Sequence, residues 1–281
     1  MNRCLFSVVI VAYNPDVRLV KSISSLLECG KINDILVVDN STSANTIIDK
    51  VRNTSNVTVI SNNGNKGIAY AQNVGVVESQ KLGYNWVLTL DHDTIIDGSL
   101  ITKYINYIQE KDCSEVGILA TDYFDISINS PVFNNSDTIE VHETISSGSL
   151  LNISIYNKIG GLKIYYFIDQ VDNEYCYRVI NNGYKIVVLP GIGMEHRLGN
   201  MERRSFLGYS MILYNQSPIR TFYRTRNIIW MLREYNDRVL KKNKILDLFK
   251  DLVRILFEKE TAKKYVYFIK GVYEGLCKKY E

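Results

Sequence analysis

Over the first 190 residues, short apolar runs alternate with amphipathic stretches. Phe6-Ser-Val-Val-Ile-Val-Ala-Tyr13 is β-branched and almost uniformly apolar, and it stops at Asn14-Pro15, which predicts a fully buried strand. Val17, Val20, Ile23, Ser24 and Leu27 then recur at helical spacing. Asp34-Ile-Leu-Val-Val-Asp39 predicts a second buried strand that ends in a polar turn. Residues 47–51 read as a helix, 57–60 as a third strand and 67–79 as a helix rich in small residues. Trp86-Val-Leu-Thr-Leu90 is a fourth strand running straight into Asp91-His92-Asp93. Strands and helices alternating at this spacing predict βαβ units and a mostly parallel sheet with helices on both faces.

The order loosens after residue 115. Gly117-Ile-Leu-Ala120 predicts a strand, residues 121–145 an irregular polar stretch, residues 149–159 and 172–181 helices, and Lys185-Ile-Val-Val-Leu189 a strand. From about residue 217 the pattern is helical. This divides the chain into an α/β region, residues 1–216, and a helical region, residues 217–281. There is no internal repeat and no low-complexity tract.

Composition narrows the class. Hydrophobic residues make up 46% and charged residues 22%, ordinary values for a folded globular chain. The five cysteines are scattered and no pair has zinc-ligand spacing, so neither a disulfide framework nor a zinc module is expected. No apolar run reaches the roughly 20 residues needed to span a bilayer, and the first one is too short for a secretory leader. A cytoplasmic location is expected. Charge is segregated: residues 201–281 carry 18 Lys/Arg against 9 Asp/Glu, and the preceding 200 carry 15 against 21. An acidic α/β half followed by a basic helical tail points to two tasks.

In open parallel sheets, ligands bind outside the carboxyl ends of the strands. Tyr13-Asn14, Asp39-Asn40 and Asp91-His92-Asp93 all fall there. Neither a GxGxxG run nor a GxxxxGKS/T run occurs, which argues against a dinucleotide dehydrogenase and a P-loop nucleotidase. Two carboxylates at i and i+2 on a bending strand end can face one site, and such oxygens suit Mg²⁺ or Mn²⁺ carrying phosphate oxygens. The plain alternative is a solvated turn. A second acidic cluster, Asp169, Asp172 and Glu174, opens a helix. It offers a base to deprotonate a hydroxyl, or else serves only to cap the helix and offset its dipole. His196, just past a strand, is a further metal-ligand candidate beside an ordinary structural histidine.

Taken in order, these segments resemble family 2 glycosyltransferases, and within them the bacterial rhamnosyltransferase-like group. Ala12, Tyr13 and Asn14 close the strand that is similar to the family's first strand and nucleotide-binding turn. Ile35-Leu-Val-Val-Asp39-Asn40 matches the second strand, and Asn63-Gly-Asn-Lys66-Gly67 through Asn73-Val-Gly75 the segment beside the nucleotide. Leu88-Thr-Leu-Asp91-His-Asp93 matches the metal motif, with His92 where Gln is common. Ser147-Gly148 matches the acceptor-side segment, Phe167 to Arg178 the acid motif with Asp172 at the base position, His196-Arg-Leu-Gly199 the group's His-x-x-Gly, and Arg226-Asn227 its Arg-Asn segment.

The resemblance implies a GT-A fold and an inverting sugar transfer from a nucleotide sugar to a hydroxyl. The implied donor is dTDP-β-L-rhamnose, with a UDP-linked galactofuranosyl, galactosyl or glucosyl donor as the alternative. Asp39 and the Tyr13-Asn14 turn would hold the nucleoside, and Asp93, with Asp91 and His196, the metal. A sugar nucleotidyltransferase fits less well, because Asn14-Pro-Asp-Val-Arg18 lacks the glycine-rich loop. A non-catalytic nucleotide-sugar-binding partner would have no need of the carboxylates. No nucleic acid is expected as a partner; the acceptor is expected to be a saccharide or lipid-linked saccharide. Ile245, Leu248, Phe249, Leu252 and Leu256, then Tyr265, Phe268, Ile269, Val272 and Leu276, form helical stripes among many lysines. Such helices lie on an anionic membrane surface, or bury the stripe in protein or in a second copy of the chain.

Overall fold

Every residue of β1 (Phe6–Ala12) is buried. Successive residues of a strand face opposite sides of a sheet, so β1 must be covered on both. The structure, a computed structural model, describes residues 5–126, 129–196, 202–206 and 209–278. The chain divides into two compact units. The first comprises Met1–Asp125, Ser130–Ile164 and Asp172–His196; the second comprises Ile126–Asn129, Tyr165–Val171 and Arg197–Glu281.

In the first unit, β1 is followed by α1 (Val17–Glu28), β2 (Ile35–Asp39), α2 (Thr46–Arg52), β3 (Val57–Ser61), α3 (Ile68–Lys81) and β4 (Trp86–Asp91). Then come β5 (Ile95–Ile96), α4 (Gly98–Glu110), β6 (Val116–Asp125), β7 (Ser130–Pro131), β8 (Ile139–Glu140), β9 (Ser149–Asn152), α5 (Ile153–Ile159), α6 (Val171–Asn181) and β10 (Lys185–His196). The sheet order is β3-β2-β1-β4-β9-β6-β10-β5, with β7 on β6 and β8 on β10. The four longest pairings, β1 with β2 and β4, β2 with β3, and β6 with β10, are parallel. Strand order reverses at β1, which opens a crevice beyond its carboxyl end.

Local chemistry explains the turns. Asp16 accepts from the Arg18 amide and starts α1, and Asn45 accepts from the Ile47 and Ile48 amides and starts α2. Gly75 lies where α3 presses on β1: a Cβ there would stand 2.3 Å from Val9 Cγ1, so only glycine permits that approach.

Three parts depart from the sequence reading. Residues 149–152, read as the start of a helix, form β9, inserted antiparallel between β4 and β6. Ser-Leu-Leu-Asn is too short to display a period, and burial in the sheet decides its state; Asn152 then caps α5 by accepting from the Ser154 and Ile155 amides. The polar stretch 121–145 contains the end of β6 and the short strands β7 and β8. β10 runs past Pro190 to His196, absorbing the proline through register shifts between Leu189 and Met194.

The second unit contains β11 (Glu202–Phe206), β12 (Tyr209–Leu213), α7 (Pro218–Glu234), α8 (Arg238–Ile255) and α9 (Thr261–Cys277). β11 and β12 form an antiparallel pair that the sequence reading left unassigned. α7 and α9 touch through Gly271 and Gly275, where a Cβ would meet the Phe222 carbonyl at 2.7 Å and Ile229 Cβ at 2.8 Å. Among the described residues no helix is long and apolar enough to cross a membrane.

Candidate active site

The carboxyl ends of β1, β2 and β4 build a polar rim. Asn40, almost fully buried, organises it. Its amide donates to the Gly67 carbonyl at 3.1 Å and to Asn65 Oδ1 at 3.2 Å, and its oxygen accepts from Lys66 N and Asn62 Nδ2, both at 3.1 Å. Asn40 therefore shapes the turn ending at Gly67, whose positive φ of 87° precedes α3. The Ala12 carbonyl accepts from Asn40 N at 2.7 Å. Asn14, itself at φ 44°, donates its amide to Ser41 Oγ, and Asp39 Oδ1 accepts from the Ser41 amide. Tyr13 is exposed and Lys66 points to solvent, so both are available to a ligand. Asn73 instead faces inward: it donates to the Leu162 carbonyl at 2.7 Å and accepts from the Leu162 amide and the Tyr156 hydroxyl, tying α3 to residues 160–163.

Asp91 ends β4, and Asp91, His92 and Asp93 are all half-buried. Asp93 Oδ2 accepts from Arg18 Nη1 at 3.1 Å. Arg18 also chelates Asp16, and its side-chain and backbone hydrogen bonds hold the Asp16 carboxyl below the usual range. The sequence reading missed Arg18; its Asn-Pro-Asp-Val-Arg setting, just past the first strand, was the available signal. Among the described residues no three His, Cys, Asp or Glu side chains gather into a metal cage. Asp91 and Asp93 fit the other kind of site, in which one or two carboxylates hold Mg²⁺ or Mn²⁺ together with substrate phosphate oxygens. The backbone of His196 pairs with Asp125 in the sheet, and its side chain lies outside the described residues.

One loop links this turn to the second acidic cluster. Ser147 Oγ accepts from the Asp91 amide at 3.1 Å and lies 2.8 Å from Thr94 Oγ1. Gly148, at φ 81°, donates its amide to the Thr89 carbonyl, and its carbonyl accepts from the Tyr104 hydroxyl. The neighbouring Ser146 donates its amide to Asp172 Oδ2 at 3.2 Å, while its hydroxyl accepts from Gln72 Nε2 at 3.0 Å. Gln72, Asp172, Tyr175 and Cys176 line a small pocket. Two buried atoms on that pocket's residues, Gln72 Oε1 and Tyr175 Oη, have no hydrogen-bond partner among the described residues. Nearby, burial pushes the Tyr123 hydroxyl up, reinforced by Asp125, Asp122 and Asp172, so the carboxyl end of β6 brings three acids close to one phenol. Asp122 accepts from four backbone amides, those of Tyr123, Val132, Phe133 and Asn134. The sequence reading did not single out this nest, because three of its four amides come from a turn ten to twelve residues away.

The three acids of the second cluster are placed very differently. Glu174 is buried and takes both Arg178 Nε at 2.7 Å and Lys163 Nζ at 3.0 Å. Arg178 in turn donates to the carbonyls of Ile159, Gly160 and Gly161. Asp169 belongs to the second unit, where Arg220 grips it with bonds of 3.0 and 2.5 Å. Arg226 and Asn227 are buried in that unit as well. Asn227 donates to the carbonyls of Tyr166, Ile168 and Asp169, and Arg226 to those of Tyr165 and Tyr166. The Arg226 guanidinium lies 4.0 Å from the Trp230 ring centroid and 4.8 Å from that of Tyr223. These two residues thus hold the segment that leads covalently into Asp172.

A parallel sheet whose reversal point is rimmed by polar turns, with a two-carboxylate turn at the next strand end, defines a glycosyltransferase of the GT-A type. The chain belongs to glycosyl transferase family 2, whose model matches residues 7–164. It is similar to the dTDP-rhamnosyl transferase RfbF of Shigella flexneri, with 30% identity over 248 residues, 83% of this chain and 81% of the relative. Among solved structures it resembles the mannosyltransferase PcManGT from Pyrobaculum calidifontis in complex with GDP-Man and Mn²⁺, with TM-score 0.61 and 11% identity over 98% of this chain and 88% of that one. S. aureus TarS 1-349 is similar too, with TM-score 0.55 and 16% identity over 97% and 72%. At these identities the solved structures establish the fold, and the expected GT-A architecture is the one found.

Proposed function

We propose that this glycosyltransferase is a metal-dependent, inverting rhamnosyltransferase that takes dTDP-β-L-rhamnose as donor. The likeness to the dTDP-rhamnosyl transferase RfbF, which runs through most of both chains, carries this reading. The Tyr13-Asn14 turn, Asp39 and the Asn40-ordered turn through Lys66 hold the nucleoside and its phosphates. Asp93, with Asp91 and His196, is the place for Mg²⁺ or Mn²⁺, which when bound offsets the charge of the departing diphosphate.

Asp172 accepts the proton of the acceptor hydroxyl as that oxygen attacks the anomeric carbon opposite the diphosphate. The alternatives within the acid motif are less suited to proton transfer: Glu174 is neutralised by Arg178 and Lys163, and Asp169 by Arg220. The Ser146 amide orients Asp172, and the adjoining Ser147 bonds the metal-binding turn, so both halves of the reaction rest on one loop. Positioning and charge stabilisation supply most of the acceleration.

The acceptor is a saccharide or lipid-linked saccharide of bacterial surface polysaccharide synthesis, met at the inner face of the plasma membrane. The exposed faces of α8 and α9 favour this location. Ile245 and Phe249 are exposed on α8, Leu256 at its C-cap, and Val266, Ile269 and Leu276 on α9, whereas the charged Lys244, Asp251 and Lys264 are buried. Calorimetric titration tests the donor. dTDP should bind more tightly than UDP in the presence of Mn²⁺; much tighter UDP binding would overturn the rhamnosyl reading. Co-sedimentation with anionic vesicles at low salt, weakening at high salt, tests the membrane surface.

A further inference from the structure

The second unit carries a charged pocket that sugar transfer does not use. Arg224 and Arg254, from α7 and α8, share one carboxylate: Arg224 Nε donates to Asp251 Oδ2 at 2.6 Å and Arg254 Nη1 to Asp251 Oδ1 at 2.7 Å. Both guanidiniums lie over the Tyr214 ring, 5.4 and 4.4 Å from its centroid. The pocket's other acid, Glu258, is already neutralised. It accepts from Lys264 Nζ at 2.7 Å and from the Tyr214 and Asn215 amides.

Among the described residues, two guanidiniums therefore share one directly bonded carboxylate, with Asp169 acting on Arg224 only at longer range. A guanidinium carries five N–H donors, and among the described residues each of these two arginines spends one on a side chain. Arg254 Nε is buried with no hydrogen-bond partner among the described residues. Burial works against the charge of Arg224, but Asp251 outweighs it and the pKa is raised, so the residue stays a cation. The pocket opens to solvent and is also lined by Gln216, Thr221 and Thr225. Two forked cations, one shared acid and a rim of neutral donors match the oxygens of a phosphate or diphosphate.

We infer that the Arg224–Arg254 pocket binds a phosphate-bearing group outside the donor site. The same helix indicates where one such group could come from. Leu252 and Leu256, next to Asp251 and Ile255 in sequence, are exposed, as is Phe249. An amphiphile with a diphosphate head would place its head on the arginines and its chain along this stripe. A soluble phosphate would use the arginines alone. The inference does not depend on the identity of the donor sugar.

Calorimetry on the full chain in EDTA, with inorganic pyrophosphate and farnesyl diphosphate as probes, tests it. Arg254→Gln and, independently, Gln216→Glu should weaken pyrophosphate binding about tenfold or more, the size of effect expected for charge-assisted hydrogen bonds. With Mn²⁺ in place of EDTA, dTDP binding at the donor site should not change in either variant. Gln216→Glu leaves the Asp251 clamp intact and so keeps the test readable if Arg254→Gln unfolds. Tighter binding of farnesyl diphosphate than of pyrophosphate, with the excess lost in Leu256→Ser, identifies a lipid-borne diphosphate; equal binding identifies a soluble phosphate. Absence of binding to the wild-type chain, or unchanged binding in folded Arg254→Gln and Gln216→Glu, overturns the pocket.

Discussion

The two units are held together by different forces. In the first, the interior is aliphatic: Val8, Val9, Ile10, Ile35, Val37, Val38, Leu88 and Leu90 stack through the parallel strands, and each is almost wholly removed from water. In the second, much of the interior is ionic. Arg226, Lys244, Asp251 and Lys264 are buried, paired with Glu274, Asp247, Arg224 and Glu258. Aliphatic packing is non-directional and degrades by increments when a methyl group is lost. A buried ion pair depends on both partners, because removal of one strands a charge in a poor solvent. The basic excess after residue 200, which reads in sequence as a surface for an anionic partner, is thus partly internal structure.

Four measurements would break or sharpen this contrast. The largest effect should come from Arg226→Ala. It takes the guanidinium from the Tyr165 carbonyl, Asn227 Oδ1 and the Trp230 and Tyr223 rings and leaves Glu274 to Lys278 alone, for a loss of about 3 kcal/mol. Hydrogen exchange should show that loss in α7 and α9 while amides of β1 and β4 stay protected; uniform loss would mean the two interiors unfold as one.

Asp172→Asn separates chemistry from either interior. Turnover should fall about 10²-fold or more, with melting and donor binding close to wild type. If Asp169→Asn or Glu174→Gln is instead the inactive but folded variant, the base is misassigned.

Gly75→Ala probes the aliphatic side. Its new methyl would overlap Val9, and overpacking of that kind costs about 1–3 kcal/mol. A paired Val9→Ala should restore part of the loss by giving the methyl room.

Acid should give the smallest effect. Burial acts to raise the Glu274 carboxyl pKa, but hydrogen bonds from Lys278 and Arg226 outweigh it and hold it below the ordinary 4.5. A depressed carboxyl pKa stabilises the fold fully above the unfolded value and loses that contribution as pH falls through the folded one. The second unit should therefore soften below about pH 4.5, and Glu274→Gln should flatten that dependence. An equal acid response in wild type and variant would remove Glu274 as its source.

The parallel sheet was legible from residue 6 to residue 91 because each strand there is a β-branched run bounded by a turn signal, and each helix has its own period. The rim of the site was legible for the same reason: Asn14, Asp39, Asn40, Asp91 and Asp93 stand where those strands stop, and topology sends every such end to one side. Beyond residue 115 local signals fail. Ser149–Asn152 became a strand because β4 and β6 accept it between them, and Pro190 sits inside a strand because shifts in register absorb it.

The partners of the three acids were not legible in the residues themselves, and only the family resemblance pointed to Asp172. Asp169, Asp172 and Glu174 lie within six residues of one another and are chemically alike. What separates them is the partner each meets: Arg220 from α7, the Ser146 amide from a loop, and Arg178 with Lys163. Sequence by itself determined the alternating sheet, its polar rim and the residue types at hand, because strand period, turn chemistry and chain order are local. Only the tertiary structure decided which carboxylates are neutralised and which arginines turn inward, because charge pairing depends on distances between residues far apart in the chain, and those exist only once the chain has folded.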